Sequence, residues 1–189
     1  FTRLPPSLTV LIPLTVLDAL IAIGLALAVA YVRGSLTDRA VMIVCTVGLS
    51  ISILVYIIVF QYVFAYKLGW FPVQGWGDSF WENLFRYASL PILIGLAVGI
   101  APSLRLYRTF VLDEINQDYV RTARAKGLSE NRIMWVHVLR NASIPMITHV
   151  MAALPGLLIG AFLVERFFSI PGIGREVILA VERSDFPVI

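Results

Sequence analysis

The feature that most constrains this chain is a run of 27 residues, Ala40 to Tyr66, without one charged side chain. A helix of about 20 apolar residues crosses roughly 30 Å of hydrocarbon, and a run this long in a water-soluble domain has no polar face to turn outward. Three other stretches repeat the pattern. Val10 to Val32 is interrupted only by Pro13, Thr15, Asp18 and small residues, while Ala88 to Leu104 and Ile144 to Val164 are uncharged. The 88–104 stretch reaches spanning length if it continues through Leu106, Tyr107 and Phe110, with Arg105 and Arg108 snorkelling to the interface. The expectation is an all-α, polytopic transmembrane helical bundle in a single domain, 1–189, with spans at about 8–32, 40–66, 88–110 and 144–164. Charged residues make up 14% of the chain and mean hydropathy is +0.85, against about a quarter charged in soluble domains. No barrel-type alternation of about ten residues appears. Because the sequence opens on Phe1 and stops shortly after Pro187, a longer natural protein is expected in both directions.

Net charge is +3, but placement says more than the sum. Nine of the fifteen Lys and Arg fall in two inter-helix segments: Arg33 and Arg39, then Arg105, Arg108, Arg121, Arg124, Lys126, Arg132 and Arg140. The positive-inside rule puts both segments in the cytoplasm, and two spans between them keep that assignment consistent. Residues 67–87 and 165–189 then face outward, the latter balancing Arg166, Arg175 and Arg183 with Glu165, Glu176, Glu182 and Asp185. Acidic residues interleaved with the basic stretch argue against nucleic acid as a partner.

Within the spans, Gly24, Ala26, Gly48, Gly95, Gly99, Gly156 and Gly160 suit close backbone approach between helices. Asp18 is the one acid inside a span. Buried charge there is costly and often functional, so it is a candidate for the translocation path. Cys45 stands alone, excluding an intrachain disulfide, and reads as a small core residue. Trp70 and Trp76 in the glycine- and proline-bearing 67–87 segment suit headgroup depth. His137 and His149 fit no metal or catalytic motif, and no phosphate-binding glycine loop occurs. No metal site, no catalytic residues and no cofactor are therefore assigned to the chain.

Residues 112–143 form the most informative loop. Ile115 to Lys126 is helix-compatible, with Ile115, Tyr119 and Ala123 on one face. Gly127 is expected to end it in the left-handed C′ position, Lys126 to meet the carbonyl end of the dipole, and Leu128 to supply the following hydrophobic contact. Ser129 is a good N-cap for a second helix from Glu130 to about Arg140. The local reading is a helix, a glycine elbow and a second helix.

The run Asp118-Tyr119-Val120-Arg121-Thr122-Ala123-Arg124-Ala125-Lys126-Gly127-Leu128-Ser129, followed by His137-Val138-Leu139-Arg140-Asn141-Ala142 and Pro145, resembles the signature loop of binding-protein-dependent ABC importer permeases. It is most similar to the branch serving dipeptides, oligopeptides and nickel. Further similarity lies in Lys67-Leu68-Gly69-Trp70-Phe71-Pro72, in Glu165 to Arg175 and in Arg183 to Ile189, and the resemblance covers about residues 8–189. Ala123 and Gly127 fit the general family pattern. Arg121, Thr122, His137 and Arg140 depart from it in the manner of the peptide branch.

The resemblance implies a permease subunit in a bacterial inner membrane, without an ATPase site of its own. It implies a second homologous permease subunit, two cytoplasmic ATPase subunits holding ATP and Mg, and an extracytoplasmic solute-binding protein. It makes the loop a coupling helix, with Tyr119, Arg121, Thr122, Ala123, Arg124, Ala125, Lys126, Gly127, Leu128 and Ser129 at the ATPase contact. Asp18, Phe167, Pro171, Gly172 and Asp185 are expected along the path, with 165–189 re-entrant or interfacial. Nickel or another small solute is the alternative cargo, and an intramembrane enzyme or a scaffold subunit the remote alternatives.

Overall fold

The computed structural model describes residues 3–183, with the side chains of 156–161 outside the description. The described chain is helical, with no strand. In order, the helices are α1 (Leu4–Tyr31), α2 (Leu36–Leu49), α3 (Ile53–Phe60, widening to a π-helical Gln61–Lys67), a short α4 (Phe80–Glu82), α5 (Ser89–Ile115), α6 (Asp118–Ala125), a short α7 (Glu130–Arg132), α8 (Leu139–Phe168) and α9 (Ile173–Glu182). By length and composition α1 and α5 are each able to cross a membrane, and α2 with α3 together form a broken span or re-entrant pair.

The uncharged 40–66 run is thus not one straight helix. Helix α2 ends at Leu49, and Ser52 opens α3 with extended backbone, its hydroxyl accepting from the Leu54 N–H at 3.4 Å. Serine favours such caps because its side chain replaces a missing helical partner.

The chain divides into two compact units, and α1, α5 and α8 contribute to both. The first comprises residues 1–16, 51–97 and 153–189. Within it Gly95 lets α5 approach α1, since a Cβ there would stand 2.6 Å from Leu14. The second comprises 17–50 and 98–152. Its core gathers Ala22, Ala26 and Ala30 of α1, Cys45 of α2, Tyr107 and Val111 of α5, Val120 and Ala123 of α6, and Met146 of α8. The small residues of α1 and Gly99 of α5 therefore serve close packing, whereas a side chain at Gly24 would meet nothing within 4 Å.

Arg108 does not snorkel. Its Nε and Nη2 donate to the two Asp38 carboxylate oxygens at 2.9 and 2.7 Å, and the Gly34 N–H also donates to Asp38 at 2.9 Å. Asp38 is buried. A planar guanidinium matches a carboxylate bidentately, so the pair ties the turn between α1 and α2 to α5 inside the second unit.

Candidate functional site: the α6–α7 elbow and the α8–α9 turn

Gly127 adopts φ +76°, a conformation in which any Cβ is strained. Its N–H donates to the Arg124 carbonyl at 2.9 Å, and the Leu128 N–H donates to the Ala123 carbonyl at 3.3 Å. Those two bonds are the pair that defines a Schellman ending, so α6 stops where the sequence says. The next step differs from expectation. Ser129 has the extended N-cap backbone, yet its hydroxyl makes no capping bond. What closes the elbow is Arg124, whose Nε and Nη2 donate to Glu130 Oε1 and Oε2 at 2.6 and 3.1 Å. The guanidinium holds the Glu130 carboxyl below its ordinary range, and Glu130 in turn raises Arg124. The second helix is not a separate piece ending near Arg140. Glu130–Arg132 continues through wide π-helical turns, Ile133–Val138, directly into α8.

The residues expected at the partner contact divide into two faces. Arg121, Thr122, Arg124, Ala125, Lys126, Gly127 and Ser129 are exposed. Ala123, with Val120, is buried in the core of its own unit, and Leu128 is half-buried against that core. Tyr119 is half-buried as well, its hydroxyl donating to Glu114 at 2.7 Å. Burial pushes the Tyr119 phenol up, a hydrogen bond involving Asn141 opposes this, and Glu114 adds to the rise. The elbow is therefore a one-sided knob: a basic strip faces out, and an apolar underside is keyed to α5 and α8.

In the first unit the end of α8, the turn 169–172 and α9 are organised around Glu165, which is 2% exposed. Ser7 donates to its Oε1 at 2.6 Å, and the Arg175 N–H in the first turn of α9 donates to its Oε2 at 3.0 Å. Ser7 also accepts the Ile173 N–H at 3.0 Å. Two orphan donors of the α9 N-terminus are thus satisfied from outside the helix. Gly172 lies against the Glu165 carboxyl with no room for a Cβ. The 67–87 segment joins the same turn: Gln74 Nε2 donates to the Phe167 carbonyl at 3.1 Å, and the Gly75 N–H donates to the Phe168 carbonyl at 3.2 Å. Trp70 is exposed, whereas Trp76 is half-buried.

Phe167, Pro171 and Gly172 thus lie at the end of α8 and in the turn that follows it, and of the three Gly172 lies against Glu165. Asp18 belongs to the second unit, and Asp185 lies outside the described residues. Ser7 and Glu165 escape sequence reasoning because one reads as a polar lead-in to a span and the other as an interfacial charge.

A family model for the inner membrane component of binding-protein-dependent transport systems matches residues 20–189. The di/tripeptide transport system permease protein DppB of Pseudomonas aeruginosa is 37% identical over 179 residues, covering 83% of this chain and 53% of that protein. The oligopeptide transport system permease protein AppB of Bacillus subtilis is 34% identical, covering 99% of this chain and 60% of its own length. The glutathione transport system permease protein GsiC of Salmonella typhi is 34% identical, covering 100% and 60%. The chain thus spans between about half and three fifths of the length of these curated relatives. With the match running from the second half of α1 through the elbow and the α8–α9 turn, this membrane-embedded chain belongs to the family of binding-protein-dependent transport system inner membrane components.

Proposed function

We propose that this chain forms part of the translocation path of an ATP-driven importer that receives peptides from an extracytoplasmic binding protein. In this reading it pairs with a second homologous permease subunit in the inner membrane. Two cytoplasmic ATPase subunits supply ATP and Mg, and one of them receives the α6–α7 elbow. The observation that carries the proposal is the two-faced elbow. A Schellman turn and an Arg124–Glu130 pair stiffen it, Arg121, Thr122, Arg124, Ala125 and Lys126 face outward, and Val120 and Ala123 anchor it in the core. ATP-driven closure moves a permease only through a contact that differs between states, and a rigid knob whose underside is packed on α5 and α8 passes such a push to spanning helices. Support for peptides as cargo comes from the relatives, whose names specify di- and tripeptides, oligopeptides and glutathione. Asp18, Phe167, Pro171 and Gly172 are proposed to border the path, with Glu165 and Ser7 fixing the turn that presents the latter three.

The test is reconstitution of the full-length permease with its partner subunits in vesicles, followed by uptake of labelled peptides and ATP hydrolysis. Uptake that requires both the binding protein and an intact elbow is expected. Full ATPase assembly and full uptake in a Gly127→Val variant would remove the coupling role.

A further inference from the structure

A polar cluster in the second unit serves neither the elbow nor the α8–α9 turn. Gly99, Ser103 and Tyr107 are spaced four residues apart on α5 and so form one stripe. Asp18 of α1 lies against the first two. Its Oδ2 accepts the Ser103 hydroxyl at 2.7 Å, and its Oδ1 rests on Gly99 so closely that a Cβ there would stand 2.9 Å away. Oδ1 is closed to solvent and has no hydrogen-bond donor. Tyr107 is 1% exposed, its hydroxyl 3.5 Å from His149 Nδ1 on α8, with the two rings edge to face at 5.7 Å. Ser103 and Tyr107, one turn apart on α5, thus connect Asp18 on one side to His149 on the other.

An unpaired carboxylate oxygen sealed from water in an apolar stretch is costly unless the carboxyl takes a proton or a counter-charge reaches it. The cationic groups on the helices around it are committed or turned away. Arg108 of α5 is bound to Asp38, and Arg105 of α5 and Arg140 of α8 are exposed. His149 remains, its ring against Tyr107 one turn along the stripe from Ser103, with Tyr107 the other titratable neighbour.

We propose that Asp18, Ser103, Tyr107 and His149 form a proton-binding site within the membrane-spanning helices. One proton, taken from water onto the His149 ring, offsets the Asp18 charge. The same step reverses Tyr107. Its hydroxyl donates to Nδ1 of a neutral ring protonated at Nε2, and accepts from the Nδ1–H of the imidazolium. Only an N–H bond forms or breaks, and the proton returns to water on release. Because the four groups come from α1, α5 and α8, the packing that clusters them is favoured while the proton is bound and loses that support when it leaves.

The experiment uses the full-length permease assembled with its partners in lipid nanodiscs. The described helices offer two histidines, His137 and His149, and loss of one imidazole signal in His149→Gln identifies the second. In Asp18→Asn, which keeps an acceptor for Ser103, loss of the anion should lower the pH at which the His149 signal changes, with His137 unmoved. Tyr107→Phe should move the same midpoint and covers the case in which Asp18→Asn fails to assemble. A His149 midpoint indifferent to both changes overturns the site. In vesicles, Asp18→Asn and His149→Gln should each abolish the same step in the pH profile of uptake, and the double variant should lose no more than either. A retained step, or additive losses, overturns the linkage to transport. That arm alone rests on the proposed function: a coupled His149 in a complex that moves no peptide would sink the cargo reading and leave the proton site standing.

Discussion

Ser7 and Glu165, 158 positions apart, share a 2.6 Å hydrogen bond that seats the start of α9. Ser7 donates to the carboxylate and accepts from Ile173, while Glu165 accepts from Arg175. The arrangement makes one corner in which a hydroxyl, a carboxylate and two backbone N–H groups satisfy one another.

Removing Glu165 should therefore be felt mostly through its abandoned donors. Glu165→Ala is expected to destabilise the first unit by about 1–3 kcal/mol, the cost of leaving buried polar groups unpaired. Ser7→Ala should cost less, and the double change should fall short of the sum because both act on one network. Thermal unfolding of the purified complex reads these values, and strict additivity would show that the network does not act as a unit.

Gly172 and Gly127 resist substitution for opposite reasons. Gly172 has ordinary extended backbone (φ −92°, ψ −179°) but no space beside Glu165, so Gly172→Ala should cost about 1–3 kcal/mol through overpacking. Gly127 has open space within this chain but a left-handed backbone. Gly127→Ala should cost about 1 kcal/mol and Gly127→Val more, whereas Gly127→Asn, which tolerates that conformation, should fold normally. Co-purification of the ATPase then separates the two effects. A folded Gly127→Asn that loses the ATPase would show that the partner fills the space over residue 127.

Ala123→Asp should damage the permease itself before it damages any contact, because Ala123 points into its own core. Burial of an unpaired charge predicts a loss of several kcal/mol, visible as reduced membrane levels. Normal levels with selective loss of the ATPase would place Ala123 at the interface instead.

The Arg124–Glu130 pair should matter little for stability, since both side chains are about 40% exposed or more and exposed pairs are screened by water and salt. The Glu130 carboxyl is held low in the folded state, so its contribution is present above the ordinary glutamate range. It should fade as pH falls through the lowered folded value. Glu130→Gln should remove that acid-side dependence and change stability by only tenths of a kcal/mol, as measured by denaturation at several pH values and salt concentrations.

Asp38→Asn should be the most damaging conservative change in the second unit. It leaves the partly buried Arg108 with half of a bidentate partner, and breaking a buried pair costs about 3–5 kcal/mol. Arg108→Lys should not rescue function, because an ammonium cannot reproduce the fork.

Sidedness can be checked by cysteine labelling in a Cys45→Ala background. Gly75 is unsuitable, as its φ of +138° and the nearby Tyr87 ring would strain any replacement. Asp78 and Asn131 are exposed. A cysteine at 78 should react with an impermeant reagent from outside and one at 131 should not, and the reverse pattern would invert the assignment.

By itself the sequence determined the helical class, the apolar stretches and the elbow at Gly127, because each depends on residues within a turn or two of one another. Apolar run length, a glycine after a basic residue and a following leucine are local signals, and the motifs that mark the family are likewise contiguous. What only the tertiary structure decided involves partners far apart in the chain. Arg108 reaches Asp38 over 70 positions, Ser103 reaches Asp18 over 85, and Ser7 reaches Glu165 over 158. The same distinction explains Ser129, whose local cap signal set its backbone but not its hydroxyl bond, and Ala123, whose inward side follows from how α6 packs. Nothing local indicates which charge a partly buried arginine will meet, since that choice is made by helix packing, where burial makes an unmet charge too costly to leave alone.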